Sequence, residues 1–180
     1  MKVVQPIRDL KKIEEIKSIL KHESYRNYFL FVMGINTGLR ISDLLTLKVK
    51  DVKNKTHIVI TEKKTNNSKR FLINDALRQE IESYTQGMKE DEYLFQSERG
   101  NKPIQRVQAY KIINGIADKV GLDEIGTHTL RKTFGYHFYQ RTKDVAMLQE
   151  IFNHSAPSIT LRYIGITQDE IDNSLKEFNL

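Results

Sequence analysis

The chain contains no cysteine, so it can form neither a disulfide framework nor a cysteine-based metal site. Such a chain suits a reducing compartment, such as the cytosol. No stretch approaches the roughly 18 to 20 uninterrupted apolar residues of a transmembrane helix. Residues 1–6 also lack the apolar run of a signal peptide. These absences predict a cytoplasmic protein without a membrane partner.

Motifs for metal and nucleotide chemistry are also missing from the sequence. The five histidines do not show H-E-x-x-H spacing, and no acidic cluster resembles a two-metal site. The G-x-x-x-x-G-K-S/T loop that holds nucleotide phosphates is absent as well. We therefore expect a protein that works without a metal or another cofactor.

The charge of the chain is uneven along its length. The net charge is +6 and the isoelectric point is about 9.4, which indicates a polyanionic partner. Residues 48–70 hold eight lysines and arginines against two acidic residues, a balance equal to that of the whole chain. Residues 169–177 hold four acidic residues and one lysine. This asymmetry predicts a DNA-facing basic region and a tail kept off the DNA, although a solvated lysine-rich loop would look the same.

Hydrophobic periodicity predicts a mainly α-helical fold with a small antiparallel β-hairpin. With 180 residues, 39% of them hydrophobic, the chain can bury one sizeable core, and we expect one domain over residues 1–180. The hairpin is expected at residues 56–61 and 69–73, with turn chemistry between them. Helices are expected over 8–21, 25–35, 75–84 and 105–120, and Asp75 is expected to cap the third of these. Three further helices are expected to begin at the capping residues Thr127, Thr142 and Ser155.

The most informative stretch runs from His128 to Tyr163. The pattern places His128 and Arg131 together on the first turn of a helix, where free N–H groups favour an anion. Gly135, one turn on, has no side chain to block a bulky ligand. Far upstream, Arg40 follows a buried helix and would be costly to bury without a negatively charged partner. These features predict a phosphate-binding site.

Taken together with their spacing, these residues resemble the tyrosine recombinase (phage integrase) family. The resemblance rests on Arg40 within Thr37-Gly38-Leu39-Arg40-Ile41-Ser42-Asp43, on His128-Thr129-Leu130-Arg131, and on Asn153-His154 with Tyr163 nine residues further on. It covers nearly the whole chain. The family usually has glycine at the position of Asn153, but asparagine also accepts the left-handed backbone that such a turn needs.

The resemblance implies an enzyme that cleaves and rejoins DNA through a 3′-phosphotyrosyl intermediate. It implies that Tyr163 is the nucleophile, that Arg40 and Arg131 bind the phosphate, and that His154 hydrogen-bonds it. It also implies that His128 assists proton transfer, and that a lysine in the hairpin protonates the departing 5′ oxygen. By the family pattern this lysine is Lys64, with Lys63 and Lys69 as alternatives.

The same resemblance implies double-stranded DNA at a specific site as substrate, self-association as a tetrameric synapse, and an accessory DNA-bending protein as a further candidate partner. Family members usually carry a separate N-terminal DNA-binding domain, which we do not expect in this sequence, so it reads as an excised catalytic domain or a short recombinase. The resemblance also implies that residues 166–180 are a tail helix, which would either dock on a neighbouring protomer or pack on its own core. The DNA-contacting candidates are Lys48, Lys63, Lys69, Arg70 and Arg106.

Two other functions remain open from the sequence. A relaxase like the type IB topoisomerases would use the same residues. A DNA-binding regulator with a decayed site belongs to a different class, although every site position is filled.

Overall fold

The computed structural model describes residues 4–61 and 68–179, and within them the chain forms ten helices and one two-stranded antiparallel sheet. Ile58 pairs with Phe71 in the sheet. The expected mainly helical fold with a β-hairpin is confirmed. The elements are α1 (Leu10–Glu23), α2 (Tyr25–Thr37), α3 (Ile41–Thr46), α4 (Val49–Val52), β1 (His57–Thr61), β2 (Ser68–Leu72), α5 (Asp75–Tyr84), α6 (Arg106–Lys119), α7 (Thr127–Thr142), α8 (Val145–Phe152), α9 (Pro157–Tyr163) and α10 (Gln168–Lys176).

The main hydrophobic core forms around α2, whose residues 28–34 are all buried. Helices α1, α5, α6 and α7 all contribute buried side chains to it. Helix α7 approaches α2 closely, since a Cβ atom on Gly34 would lie only 2.5 Å from the Leu130 side chain. This close approach brings Gly38, the residue that ends α2, next to the first turns of α7.

A second, smaller core holds α8 and α9 against α7. Leu148, Phe152 and Ile164 are fully buried in it, and Phe134 packs against them from α7. Gly135 lies at the closest point, where an added Cβ would be 2.6 Å from Ile164 and 2.8 Å from Phe152. The prediction that Gly135 leaves room for a ligand is therefore wrong, because the space beside it is filled by the helices that follow.

The observed helix ends lie close to the predicted ones. Gly38 and Asn153 end α2 and α8 and both have positive φ, 64° and 56°, and for Asn153 this conformation was expected. Asp144, not Thr142, caps α8, because its carboxylate accepts the Met147 backbone N–H at 2.8 Å. The other observed N-caps each lie one residue from the predicted ones: Asn74 in place of Asp75, Gly126 in place of Thr127, and Ala156 in place of Ser155.

Helix α6 packs one face into the core, and the apolar residues of 105–120 predict that this face includes Val107, Ile113 and Ile116. Ile113 and Ile116 are buried, whereas Val107 is 63% exposed. The prediction is wrong for Val107, because the buried face of α6 is the one that carries Ala109, Ile113 and Ile116. Among the described residues, no helix combines the length and the apolar character needed to cross a bilayer.

Candidate active site

Arg131 is the most deeply buried charged residue of the candidate site. Its side chain is 5% exposed and lies against the Phe152 ring, 4.1 Å from the ring centroid. The guanidinium donates one hydrogen bond to the Gly38 carbonyl and another, of 3.0 Å, to the Phe152 carbonyl. The sequence predicted that Arg131 shares a polar helix face with His128. Only His128 is exposed, because the ends of α2 and α8 close over the arginine.

A cavity of about 170 Å³ opens in front of Arg131. Arg40, which directly precedes α3 and is exposed, forms one side of it, and His128 forms another. Arg106, from the first turn of α6, also lines this cavity, together with Ser42 and Thr127. Three guanidinium groups and an imidazole around one small cavity make a strongly positive site that suits a phosphate. Ser42 and Thr127 were not predicted, since nothing in the linear pattern distinguishes them.

Tyr163 ends α9 with its hydroxyl oxygen 3.3 Å from Nδ1 of His128. Its ring stands edge-on to the rings of His154 and Phe152, with centroids 5.2 and 5.5 Å away. The tyrosine therefore lies in the site of its own chain. Burial raises the pKa of the Tyr163 phenol, while the charges of Arg131 and Arg40 act in the opposite direction.

The two predicted site histidines are shifted towards their neutral forms. Burial lowers the pKa of His128, and the nearby positive charges, with Arg106 foremost, lower it further. Burial also lowers the pKa of His154, followed by the charges of Arg131 and Arg40. The Nδ1 atom of His154 lies 3.0 Å from the Thr160 hydroxyl, which leaves Nε2 as the nitrogen able to meet a phosphate. Both imidazoles are thus able to accept a proton or a hydrogen bond at neutral pH.

Of the three candidate lysines in the hairpin, only Lys69 lies among the described residues. Lys63 and Lys64 lie outside the described residues. Lys69, on β2, lines a larger cavity of about 810 Å³ together with Arg40 and Arg131. Its ammonium lies 3.3 and 3.4 Å from the carbonyl oxygens of Glu150 and Ile151, near the end of α8. Lys69 is therefore close to the arginines of the site.

Two predicted DNA-contacting residues lie away from these cavities. The Lys48 ammonium sits 4.9 Å from the centroid of the Tyr93 ring, and Lys48 is not among the residues that line the two cavities. Arg70 is exposed on β2, where its guanidinium lies 3.3 Å from Nδ1 of His57. Their role as DNA contacts stays a prediction.

No group of three or more histidines and carboxylates that could hold a metal ion occurs among the residues the structure describes. The side chains around the cavity supply cations for a phosphate, imidazoles and a phenol.

A sequence profile of the phage integrase family matches residues 9–170, nearly the whole chain. The chain belongs to this family. The probable integrase/recombinase YoeC of Bacillus subtilis is 60% identical over 178 residues, which cover 99% of this chain and 98% of YoeC. The tyrosine recombinase XerA of Pyrococcus horikoshii is 27% identical, and the chain spans 60% of its length.

Solved structures of recombinases share the fold. The crystal structure of XerA recombinase superimposes with a TM-score of 0.80 at 19% identity, covering 98% of this chain and 67% of XerA. The XerH site-specific recombinase, bound to its difH substrate before cleavage, gives a TM-score of 0.73 at 19% identity and covers 99% of this chain and 56% of XerH. Members of this family therefore share the helical architecture that brings Arg40, His128, Arg131, His154 and Tyr163 together in this chain.

Proposed function

We propose that this tyrosine recombinase cleaves and rejoins DNA at specific sites by using Tyr163 as its nucleophile. The observation that supports this most directly is the Tyr163 hydroxyl, 3.3 Å from the His128 imidazole, beside a cavity lined by Arg40 and Arg131. A phosphodiester seated in that cavity would meet two guanidinium groups, a base and a nucleophile. The XerH structure with its difH substrate supports DNA as the ligand.

The reaction follows from these groups. Attack by the phenol oxygen places charge on the equatorial oxygens of a five-coordinate phosphorus, and Arg40 and Arg131 stabilise that charge. His128, neutral at pH 7, accepts the phenolic proton as the oxygen–phosphorus bond forms. His154 donates a hydrogen bond to a phosphate oxygen through Nε2–H. The 5′ oxygen leaves with a proton from a lysine, and the 3′ phosphate stays on the tyrosine.

The phosphotyrosyl bond makes the reaction reversible. One phosphoester bond replaces another, so a 5′ hydroxyl from a second strand can attack and restore a phosphodiester without an external energy source. Integration, excision and inversion are all outcomes of this exchange, and the arrangement of the DNA sites selects among them.

The lysine that acts as the general acid is Lys64 by the family pattern, with Lys63 and Lys69 as alternatives. A substrate in which sulfur replaces the bridging 5′ oxygen can decide, because a thiolate leaves without protonation. Each lysine is changed to methionine in turn, and cleavage of the oxygen and sulfur substrates is compared. The variant that is slow on oxygen and restored on sulfur identifies the acid, whereas a variant slow on both lacks a phosphate contact instead.

The tail supports assembly with other protomers. Leu175 is 61% exposed and Phe178 65% exposed, and Ile171 is also exposed, so this face does not pack on its own core. An apolar face of this kind is expected to dock on a neighbouring protomer in a tetrameric synapse.

We further propose that residues 1–180 act as the catalytic unit, that a DNA-bending protein assists, and that the enzyme acts on chromosomal or phage DNA in the cytoplasm.

Trapping on a nicked duplex tests the proposal, because loss of a short 5′ fragment prevents religation and leaves the covalent adduct. Wild-type protein is expected to form an adduct, and Tyr163→Phe none, although the variant should still bind DNA. Tyr25→Phe, a half-exposed tyrosine on α2, is the matched control and should react like wild type. Adduct formation by Tyr163→Phe would refute the assignment of the nucleophile. Relaxation of supercoiled DNA without recombinant products would favour a topoisomerase, and the absence of any adduct would favour a DNA-binding regulator.

A further inference from the structure

Lys132 contacts the Tyr163 ring but is not one of the catalytic groups of the site. It follows Arg131 on α7, is only 9% exposed, and places its ammonium 5.1 Å from the centroid of the Tyr163 ring. The same ammonium donates a 2.7 Å hydrogen bond to the Val4 carbonyl. A partly desolvated cation near an aromatic face attracts the ring more strongly than an exposed one does. Lys132 therefore joins the tyrosine to the first described residues of the chain.

Those residues, Val4–Arg8, form an extended segment that we call the strap. Its backbone is fixed to α7 by the Ile7 N–H, which donates to the Thr133 hydroxyl at 2.9 Å, and by the Ile7 carbonyl, which lies 2.9 Å from Nε2 of His137. Its last residue, Arg8, donates a 3.0 Å hydrogen bond to the carbonyl of Gly165.

Gly165 lies two residues beyond Tyr163 and has a φ of +80°. An added Cβ there would be 2.7 Å from the Arg8 guanidinium, so the strap lies directly against the end of the tyrosine-bearing helix. The strap thus reaches Tyr163 twice, through Lys132 at the ring and through Arg8 at the backbone behind it.

We propose that Lys132, held by the strap, is a positioning residue that sets the orientation in which the Tyr163 hydroxyl meets His128 and the phosphate. The proposal rests on the proposed function of Tyr163 as the nucleophile. The ammonium restrains the whole tyrosine side chain, and the position of the side chain sets where its hydroxyl oxygen lies. Without the ammonium, the side chain can swing away from His128 while Arg131 and Arg40 still hold the phosphate. Cleavage should then slow without a loss of DNA affinity.

The test compares Lys132→Met, Lys132→Arg and a matched control, Lys12→Met, in the full chain. Lys12, on α1, also donates a hydrogen bond to a carbonyl across elements, that of Val120 at the end of α6, at 2.8 Å. Lys132→Met should slow single-turnover adduct formation at saturating DNA by about 2- to 30-fold, the range expected for a lost cation–aromatic contact. Its dissociation constant for DNA should stay within about twofold of wild type, since Lys132 does not line the phosphate cavity. Lys132→Arg should recover most of the rate, and Lys12→Met should cleave like wild type.

Arg8→Met gives a second, independent variant, because Arg8 is exposed and its loss should leave the fold intact. It should also slow cleavage at unchanged DNA affinity, and the double variant with Lys132→Met should be less impaired than the product of the two single effects. The proposal would be overturned if Lys132→Met or Arg8→Met formed the adduct at the wild-type rate. It would also be overturned if Lys132→Arg were as slow as Lys132→Met.

Hydrogen exchange of the free protein separates this proposal from the proposed function. Amides of residues 157–166 should exchange faster in Lys132→Met than in Lys12→Met, whether or not the chain cleaves DNA. If the wild-type protein formed no adduct, the proposed function would fail. The exchange rates of the two variants would still test whether Lys132 positions the tyrosine-bearing helix. Equal exchange in the two variants would overturn the inference.

Discussion

Gly135→Ala is expected to destabilise the protein although alanine is the better helix former. The added methyl group would lie 2.6 Å from Ile164 and 2.8 Å from the Phe152 ring, closer than carbon atoms approach one another in folded proteins. Overpacking of this kind costs about 1–3 kcal/mol. For a chain of this length that free energy corresponds to a fall in melting temperature of about 2–12 °C.

The methyl group should also affect cleavage. Ile164 directly follows Tyr163, so relief of the clash moves the tyrosine away from His128. Misplacement of a reacting group by about 1 Å can slow a reaction by about a hundredfold. We therefore expect the folded variant to form the covalent adduct far more slowly than wild type at saturating DNA.

Gly115→Ala is the matched control for this substitution. Gly115 is also a helical glycine, on α6, but it is exposed and an added Cβ would meet nothing within 4 Å. Here the better helix propensity of alanine should stabilise the protein by about 0.5–1 kcal/mol. Thermal unfolding and trapping on a nicked duplex are measured for both variants. If Gly135→Ala were as stable and as active as Gly115→Ala, the close packing of α7 against α9 would be refuted.

Arg40→Ala should abolish adduct formation with little change in melting temperature, because Arg40 is exposed. Arg131→Ala should also abolish adduct formation and should lower the melting temperature, since each buried carbonyl left without its donor costs about 1–3 kcal/mol. An unchanged melting temperature in Arg131→Ala would contradict the hydrogen bonds of Arg131 to the Gly38 and Phe152 carbonyls. The rate of adduct formation should fall with acidification, with a midpoint below pH 6.5, because the pKa of His128 is lowered in the folded protein. A midpoint of the rate above pH 6.5 would show that His128 is not the base. The free energy of unfolding should also decline as the pH falls below 6.5, since imidazoles then bind protons in the unfolded chain before they do so in the folded one. Leu175→Asp should leave thermal unfolding unchanged but prevent higher-order complexes on DNA in native gels, and a large loss of stability instead would mean that the tail packs on its own core.

The linear motifs predicted which residues would lie near one another, while the roles of these residues stay a prediction. The order of Arg40, His128, Arg131, His154 and Tyr163 suggested one site, and the structure brings these residues together. Local backbone chemistry similarly predicted the left-handed residue at the end of α8, because few residue types accept that conformation.

Tertiary packing determined what the sequence did not reveal. A glycine looks the same whether it faces a ligand or a neighbouring helix, so the contact of Gly135 with Phe152 and Ile164 was not predictable from spacing. Burial of Arg131 depends on the ends of α2 and α8, which are far away along the chain. The contact of Lys132 with Tyr163 likewise arises only when α9 folds back on α7. Val107 was misplaced because it was assigned to the core for its apolar side chain, although it lies on the side of α6 opposite Ile116.

The two carbonyl partners of Arg131 have a consequence for how DNA would enter the site. Gly38 and Phe152 lie at the C-terminal ends of helices, where backbone carbonyls carry partial negative charge. Such dipoles orient a guanidinium without cancelling its charge, as a paired carboxylate would. Its pKa falls only to about 10, mainly because of burial, so it remains cationic at neutral pH. An incoming phosphate would then encounter a cation that is already held in place, and the free enzyme would be organised for catalysis before its substrate arrives.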